Sequence, residues 1–142
     1  METMGKEELE SLGVKALALR MRQLKDRIDE LSKEKTSMQK EFDLIRKSLL
    51  PERMEDEGIQ NLTLKGIGRV SLRPELYVSI PADSKPLAYE WLKEHGYASL
   101  VTPYVQPSTL KAWAKEQIEH GVELPEDLFV VSPYTMATIT KA

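Results

Sequence analysis

From Val14 to Leu49, apolar residues return at alternating spacings of three and four: Val14, Leu17, Met21, Leu24, Ile28 and Leu31, then Met38, Phe42, Ile45 and Leu49. Only Lys35 breaks the series. With Val14 at heptad position a, the residues Met21, Ile28, Lys35, Phe42 and Leu49 also fall at a. Leu17, Leu24, Leu31, Met38 and Ile45 fall at d. This strict 3.5-residue period is the seam of a coiled coil. A helix over residues 14–49 is about 54 Å long at ~1.5 Å per residue, longer than a domain built from the rest of the chain is across. No second heptad run occurs in the chain. The cover expected for the seam is therefore the same helix from another copy, in a homodimer or higher oligomer.

Flanking charges bear on the direction of pairing. A parallel dimer sets g against the following e′, bringing Arg20 to Lys25′ and Glu41 to Arg46′, one contact repulsive and one attractive. An antiparallel dimer in which every a meets a d′ sets Arg20 against Glu41′ and Arg27 against Glu34′, both attractive. Exposed pairs contribute only ~0.2–1 kcal/mol each. Val14 and Ile28 at a with Leu at d favour the parallel arrangement. The charges favour the antiparallel one, which is the expectation. Lys35 in the seam costs stability and selects register.

Pro51 cannot continue the hydrogen-bond ladder and disfavours helix in the residue before it, so the helix is expected to end near Leu50. Residues 1–50 then form an oligomerisation helix, 51–58 a linker and 59–142 a small α+β module. After the turn at Glu55–Gly58, I-Q-N-L-T-L, K-G-I-G and R-V-S-L-R read as a hairpin with glycines at its turn. The run L-Y-V-S-I, residues 76–80, continues the alternation until Pro81. Two short helices follow. The first is expected to be capped by Asp83 or Ser84, with Pro86 in its first turn and Gly96 after it. The second is expected to be capped by Ser108, with Gly121 after it. In both, E-H-G is a C-terminal stop rather than a metal motif. Trp91 and Trp113 lie on the apolar sides and are expected in the core. Leu128–Val131 and Thr135–Thr140 are expected to return to the sheet. The fold class is α+β: a long N-terminal coiled-coil helix followed by a small antiparallel β-sheet with two short helices.

Several chemistries lack their residues. Without cysteine there is no disulfide, thiolate metal site or cysteine nucleophile. Neither a phosphate-cradling G-x-x-x-x-G-K-[ST] nor H-E-x-x-H nor G-x-S-x-G occurs. No enzyme, metal or cofactor is expected. Nor is there an apolar run of the ~18 residues a membrane helix needs, or a signal-peptide core, so the expected location is the cytoplasm.

The formal net charge is −3, but its distribution is uneven. Residues 14–53 carry 11 Lys and Arg against 7 Asp and Glu, whereas residues 1–13 carry one against four. On the stalk, Lys15, Arg20, Arg22, Lys25 and Arg27 cluster with only Asp26 opposing. Lys65, Arg69 and Arg73 form a second excess, with no acidic residue between Leu62 and Pro74. Arginine forks suit phosphate oxygens. Cations on a sheet edge also prevent edge-to-edge association. Tyr77, opposite the apolar row, is expected to be exposed and is a candidate contact.

A heptad stalk, a hairpin holding G-R-V-S-L-R-P with V-S-I close behind, the helix Y-E-W-L-K-E-H-G, a second helix opening P-S-T-L and a final F-V-V-S-P-Y together resemble the Gam protein family of phage Mu and its host-nuclease-inhibitor relatives. The likeness spans residues 14–135 and is sharpest at Val70, Ser71, Arg73, Pro74 and Val78–Ile80. It implies a phage or prophage dimer that binds double-stranded DNA ends, without cofactor or chemistry, and shields them from host exonucleases. It also implies that Arg69 and Arg73 lie on the DNA-facing hairpin. The DNA-contact candidates are Lys65, Arg69, Arg73 and Tyr77, with Arg20, Arg22, Lys25 and Arg27. The alternative is a non-enzymatic coiled-coil adaptor that engages a host protein, such as a nuclease or replication factor, through Tyr77 and the hairpin edge.

Overall fold

Gly13, extended at φ −79°, opens a run of helix that continues from Val14 to Asp56, 43 residues in all, in the computed structural model, which describes residues 1–142. A short helix α1 (Lys6–Glu10) precedes it. The run comprises α2 (Val14–Leu44), one widened π turn (Ile45–Leu49) and α3 (Leu50–Asp56).

The helix thus passes the point near Leu50 where it was expected to end, and residues 51–56 of the expected linker are helical. The widened turn is the physical reason. In a regular α-helix the Pro51 ring would meet the carbonyl four residues back. Here the Leu50 N–H donates to the Ile45 carbonyl, five residues back, and the wider turn relieves that crowding. Pro51 then occupies the first turn of α3, where no backbone N–H is required.

α3 closes with paired bonds around Gly58, whose φ is +69°. The Gly58 N–H donates to the Glu55 carbonyl at 3.0 Å and the Ile59 N–H to the Met54 carbonyl at 2.8 Å, a Schellman cap that sets Ile59 over Met54. Met54, 2% exposed, is the one buried side chain of the chain. The hairpin follows: β1 (Asn61–Leu64) pairs antiparallel with β2 (Gly68–Ser71), Leu62 opposite Val70 and Thr63 opposite Arg69. Leu72 extends the ladder by donating to the Gln60 carbonyl at 2.9 Å. Leu62, Val70 and Leu72 share one half-buried face.

The chain divides into two units, residues 1–75 with 139–142 and residues 76–138, so the hairpin groups with the stalk. Within the second unit, a 3₁₀ turn (Ala82–Ser84) leads into α4 (Lys85–Glu94), a second 3₁₀ turn (Ala98–Leu100) follows, and α5 spans Pro107–Glu119. Both helices end as E-H-G predicts. Tyr97 donates to the Leu92 carbonyl around Gly96, and Val122 to the Gln117 carbonyl around Gly121. Their starts differ from expectation. Ser84 precedes α4 in helical geometry and its side chain caps nothing. Pro107 suits the first position of α5, so that helix begins before Ser108, and the Gln106 side chain accepts from the Thr109 N–H at 3.2 Å.

Three further expectations are overturned. Residues 76–80 form no strand, nor do 128–131 or 135–140, so the sheet has two strands only. Alternation permits a strand, but a ladder needs a partner with free backbone groups, and Pro74 and Pro81 bound a segment that finds none. The tryptophans are not core. Trp91 is 54% and Trp113 42% exposed. Trp91 stacks on His95 of its own helix at 3.9 Å, and Trp113 meets Phe129 at 5.9 Å. No layer within the second unit covers either one.

Candidate nucleic-acid interface

Alternation in β1 and β2 puts Asn61, Thr63, Arg69 and Ser71 on the hairpin face opposite Leu62 and Val70, and all four are exposed. That face combines a guanidinium, an amide and two hydroxyls, with no acidic residue from Gly58 to Pro74. Arg69 donates to Asn61 Oδ1 at a long 3.4 Å, a contact that steadies the fork without neutralising it. Lys65 lies in the turn, where Gly66 (φ +81°) supplies the left-handed backbone. Beyond the strand, Arg73 Nε pairs with Glu75 Oε1 at 2.6 Å, with both side chains largely exposed. Tyr77 is 89% exposed, as expected, although it lies on no strand.

The stalk cluster is only partly free. Arg20 is half-buried and donates to the Glu2 backbone carbonyl, and Arg27 pairs with Glu30 at 3.1 Å. Lys15, Arg22 and Lys25 are exposed and make no ion pair. Arg22 and Asp56 are about 50 Å apart along the helical run at ~1.5 Å per residue, so one chain cannot join the stalk cluster and the hairpin into a single patch. Asn61, Thr63 and Ser71 had not been singled out from the sequence. Cross-strand register was the signal that could have found them. Glu2 and Glu75, the restraints on Arg20 and Arg73, were also missed.

The seam residues from Val14 to Phe42 lie on the regular helix α2, while Ile45 and Leu49 fall in the widened turn, which breaks the period, and the chain leaves most of them uncovered. Val14 is 88% and Met38 67% exposed; Leu17, Ile28, Leu31, Phe42, Ile45 and Leu49 are exposed as well, and only Met21 and Leu24 are half-covered. Near the end of α2, Asp43 accepts from Arg46 at 2.8 Å and from Gln39 at 3.1 Å. The Arg46 hydrogen bond leads in holding its carboxyl below the ordinary value of 3.8; Gln39 and the charges of Lys47 and Arg46 add to it and outweigh slight burial. A depressed folded pKa means that this contribution is complete above about pH 4, the unfolded carboxylate range, and is lost as pH falls through the lower folded value. Carboxyl NMR titration should place the Asp43 midpoint below 3.8 and return it toward that value in Arg46→Ala.

A family model described as Pam3 gp33-like protein matches residues 13–141. The chain belongs to this family. The Pam3 gp33-like match begins beside the start of α2 and takes in the seam, the hairpin and both later helices, so every candidate contact lies inside it. No functionally curated protein and no solved structure matches the chain. No group of three or more His, Cys, Asp or Glu is arranged to hold a metal ion, and no helix is long and apolar enough to cross a membrane.

Proposed function

We propose that the protein binds double-stranded DNA through sequence-independent phosphate contacts and shields duplex ends from host exonucleases, acting without cofactor or chemistry. The observation that carries this reading is the acid-free polar face of the hairpin, where Arg69 stands exposed among Asn61, Thr63 and Ser71, with Lys65 at the turn. Hydroxyl, amide and guanidinium donors together are the usual equipment for phosphate oxygens. The likeness of G-R-V-S-L-R-P to Mu Gam-like proteins supports the same reading and adds the preference for ends. Arg73 enters at little cost, because an exposed ion pair such as Arg73–Glu75 contributes only ~0–1 kcal/mol.

Fluorescence anisotropy with a linear duplex and a closed circle, across a salt series, tests the proposal. Binding should weaken with salt, and Arg69→Ala with Arg73→Ala should make the log–log slope shallower by about 1 per contact removed. Equal affinity for linear and circular DNA would reject end recognition, and no binding at low salt would reject the class. Freeing Arg73 should have the opposite effect: Glu75→Gln should tighten binding by roughly 1.4- to 5-fold, the equivalent of one exposed ion pair.

A second reading, a coiled-coil adaptor for a host protein such as a nuclease or replication factor, is favoured by the apolar and aromatic side chains exposed in residues 76–138, among them Trp91, Tyr104, Val130 and Tyr134. Recovery of one host protein by the tagged chain after nuclease digestion, together with absence of DNA binding, would select it.

A further inference from the structure

Along α2 the seam is left uncovered by the chain, with Val14 88%, Ile28 60%, Met38 67% and Phe42 56% exposed. A stable pair of proteins needs to bury only about 800 Å² on each partner. The seam is bounded by Gly13 on one side and the widened turn at Ile45 on the other.

The residues along the seam discriminate between the two directions a second copy could take. In a parallel pair a faces a, so the two Lys35 ammonium groups would meet inside the seam and Arg20 would meet Lys25. The one attraction there, Glu41 with Arg46, would compete with the Asp43–Arg46 pair already formed at 2.8 Å. In the antiparallel pair a faces d, and Lys35 meets Leu24 instead of its own kind. Glu34 and Glu41, which have no ion pair within the chain, then face Arg27 and Arg20, two attractions against one, although Arg27 too would exchange an existing exposed pair, that with Glu30 at 3.1 Å. A shallow groove bounded by Leu31, Lys35, Met38 and Phe42 lies opposite Leu24 and Met21 of the second copy in that register, where coiled-coil packing seats a knob in a hole.

We propose that α2 pairs antiparallel with α2 of a second copy, Val14 opposite Ile45, Met21 opposite Met38 and Ile28 opposite Leu31, so that each basic stalk cluster lies toward the hairpin-bearing end of the other copy. The two-fold axis passes between Ile28 and Leu31, and the interface is the same surface on both chains. Arg20 gives up its single exposed hydrogen bond to Glu2 for a carboxylate partner. Arg22 of one copy comes within about 30 Å of Asp56 of the other, measured along the stalk at ~1.5 Å per residue, against about 50 Å within one chain. That spacing is close to one turn of duplex, about 34 Å. Each end of the dimer therefore brings the basic stalk cluster of one copy nearer to the hairpin of the other than to its own. The comparison with a turn of duplex rests on the DNA-binding reading; the pairing itself does not.

Because the chain has no cysteine, single thiols report direction without background. Met21→Cys and Met38→Cys variants are prepared separately, mixed, refolded together without DNA and oxidised. The expected result is a disulfide between the two variants in the mixture, none when either is oxidised alone, and a sedimentation mass twice 16.2 kDa for the unmodified chain. Disulfides within each variant alone would establish the parallel arrangement and overturn the proposal. A monomer mass with no cross-link in any mixture would overturn it too. Loss of DNA binding with the mixed disulfide present would reject the functional reading alone.

Discussion

Ile28→Glu with Leu31→Glu should convert the protein to a monomer and remove a large part of its helical signal. In the antiparallel pairing these residues face each other across the two-fold axis, so the double change places four carboxylates in the central layers. Burying one Leu or Ile side chain contributes about 1.5–3 kcal/mol. Losing four per dimer removes roughly 6–12 kcal/mol, comparable with the whole stability of an ordinary domain, about 5–15 kcal/mol. Repulsion among the carboxylates adds to the loss. No core within the chain offsets it, since Met54 is the one buried side chain. Sedimentation equilibrium should show association weakened by ~10⁴-fold or more, with every ~1.4 kcal/mol a factor of ten. Circular dichroism at 222 nm should fall on the order of half, because long helices in water take most of their stability from packing. Gln23→Glu with Thr36→Glu adds the same charge at outward heptad positions and should leave mass and helicity unchanged. If the seam double variant keeps both, the helix supports itself and the seam has no structural role.

What could be read from the residues, and what could not, follows from how local each signal is. The long helix was legible because a 3.5-residue period over residues 14–49 needs no knowledge of the rest of the chain. Its end was not. The rule that proline stops a helix assumes regular α turns, and the Ile45–Leu49 turn is wide enough to admit Pro51. The E-H-G stops were legible for the same local reason, since glycine supplies the left-handed cap at Gly96 and Gly121. By contrast, L-Y-V-S-I shows that residues 76–80 could be a strand, and only a partner edge could make them one. Amphipathic spacing at Trp91 and Trp113 identified a side of each helix without saying whether the chain supplies the layer to cover it. At the candidate interface, charge counting found Lys65, Arg69 and Arg73. It missed Asn61, which holds Arg69 from the opposite strand, and Glu75, which pairs with Arg73 across Pro74.

Met54→Ala should release the hairpin while leaving α2 intact. Two four-residue strands are marginal in water unless something holds them, and the cap that joins α3 to β1 sets Ile59 over Met54, a side chain only 2% exposed. Truncating a buried methionine costs about 2–5 kcal/mol, depending on how far the site collapses. A two-stranded hairpin has little reserve against a loss of that size. Hydrogen exchange read by segment should therefore show residues 59–72 approaching unprotected rates, with residues 14–44 still protected by the stalk. Met54→Leu, which conserves volume, should cost under ~1.5 kcal/mol and keep the hairpin protected. If the polar face of the hairpin is the phosphate contact, Met54→Ala should also weaken DNA binding as much as Arg69→Ala does, without removing any charge. Full hairpin protection in Met54→Ala would mean that the strands are held from outside α3, and would move the search for their support to the second copy.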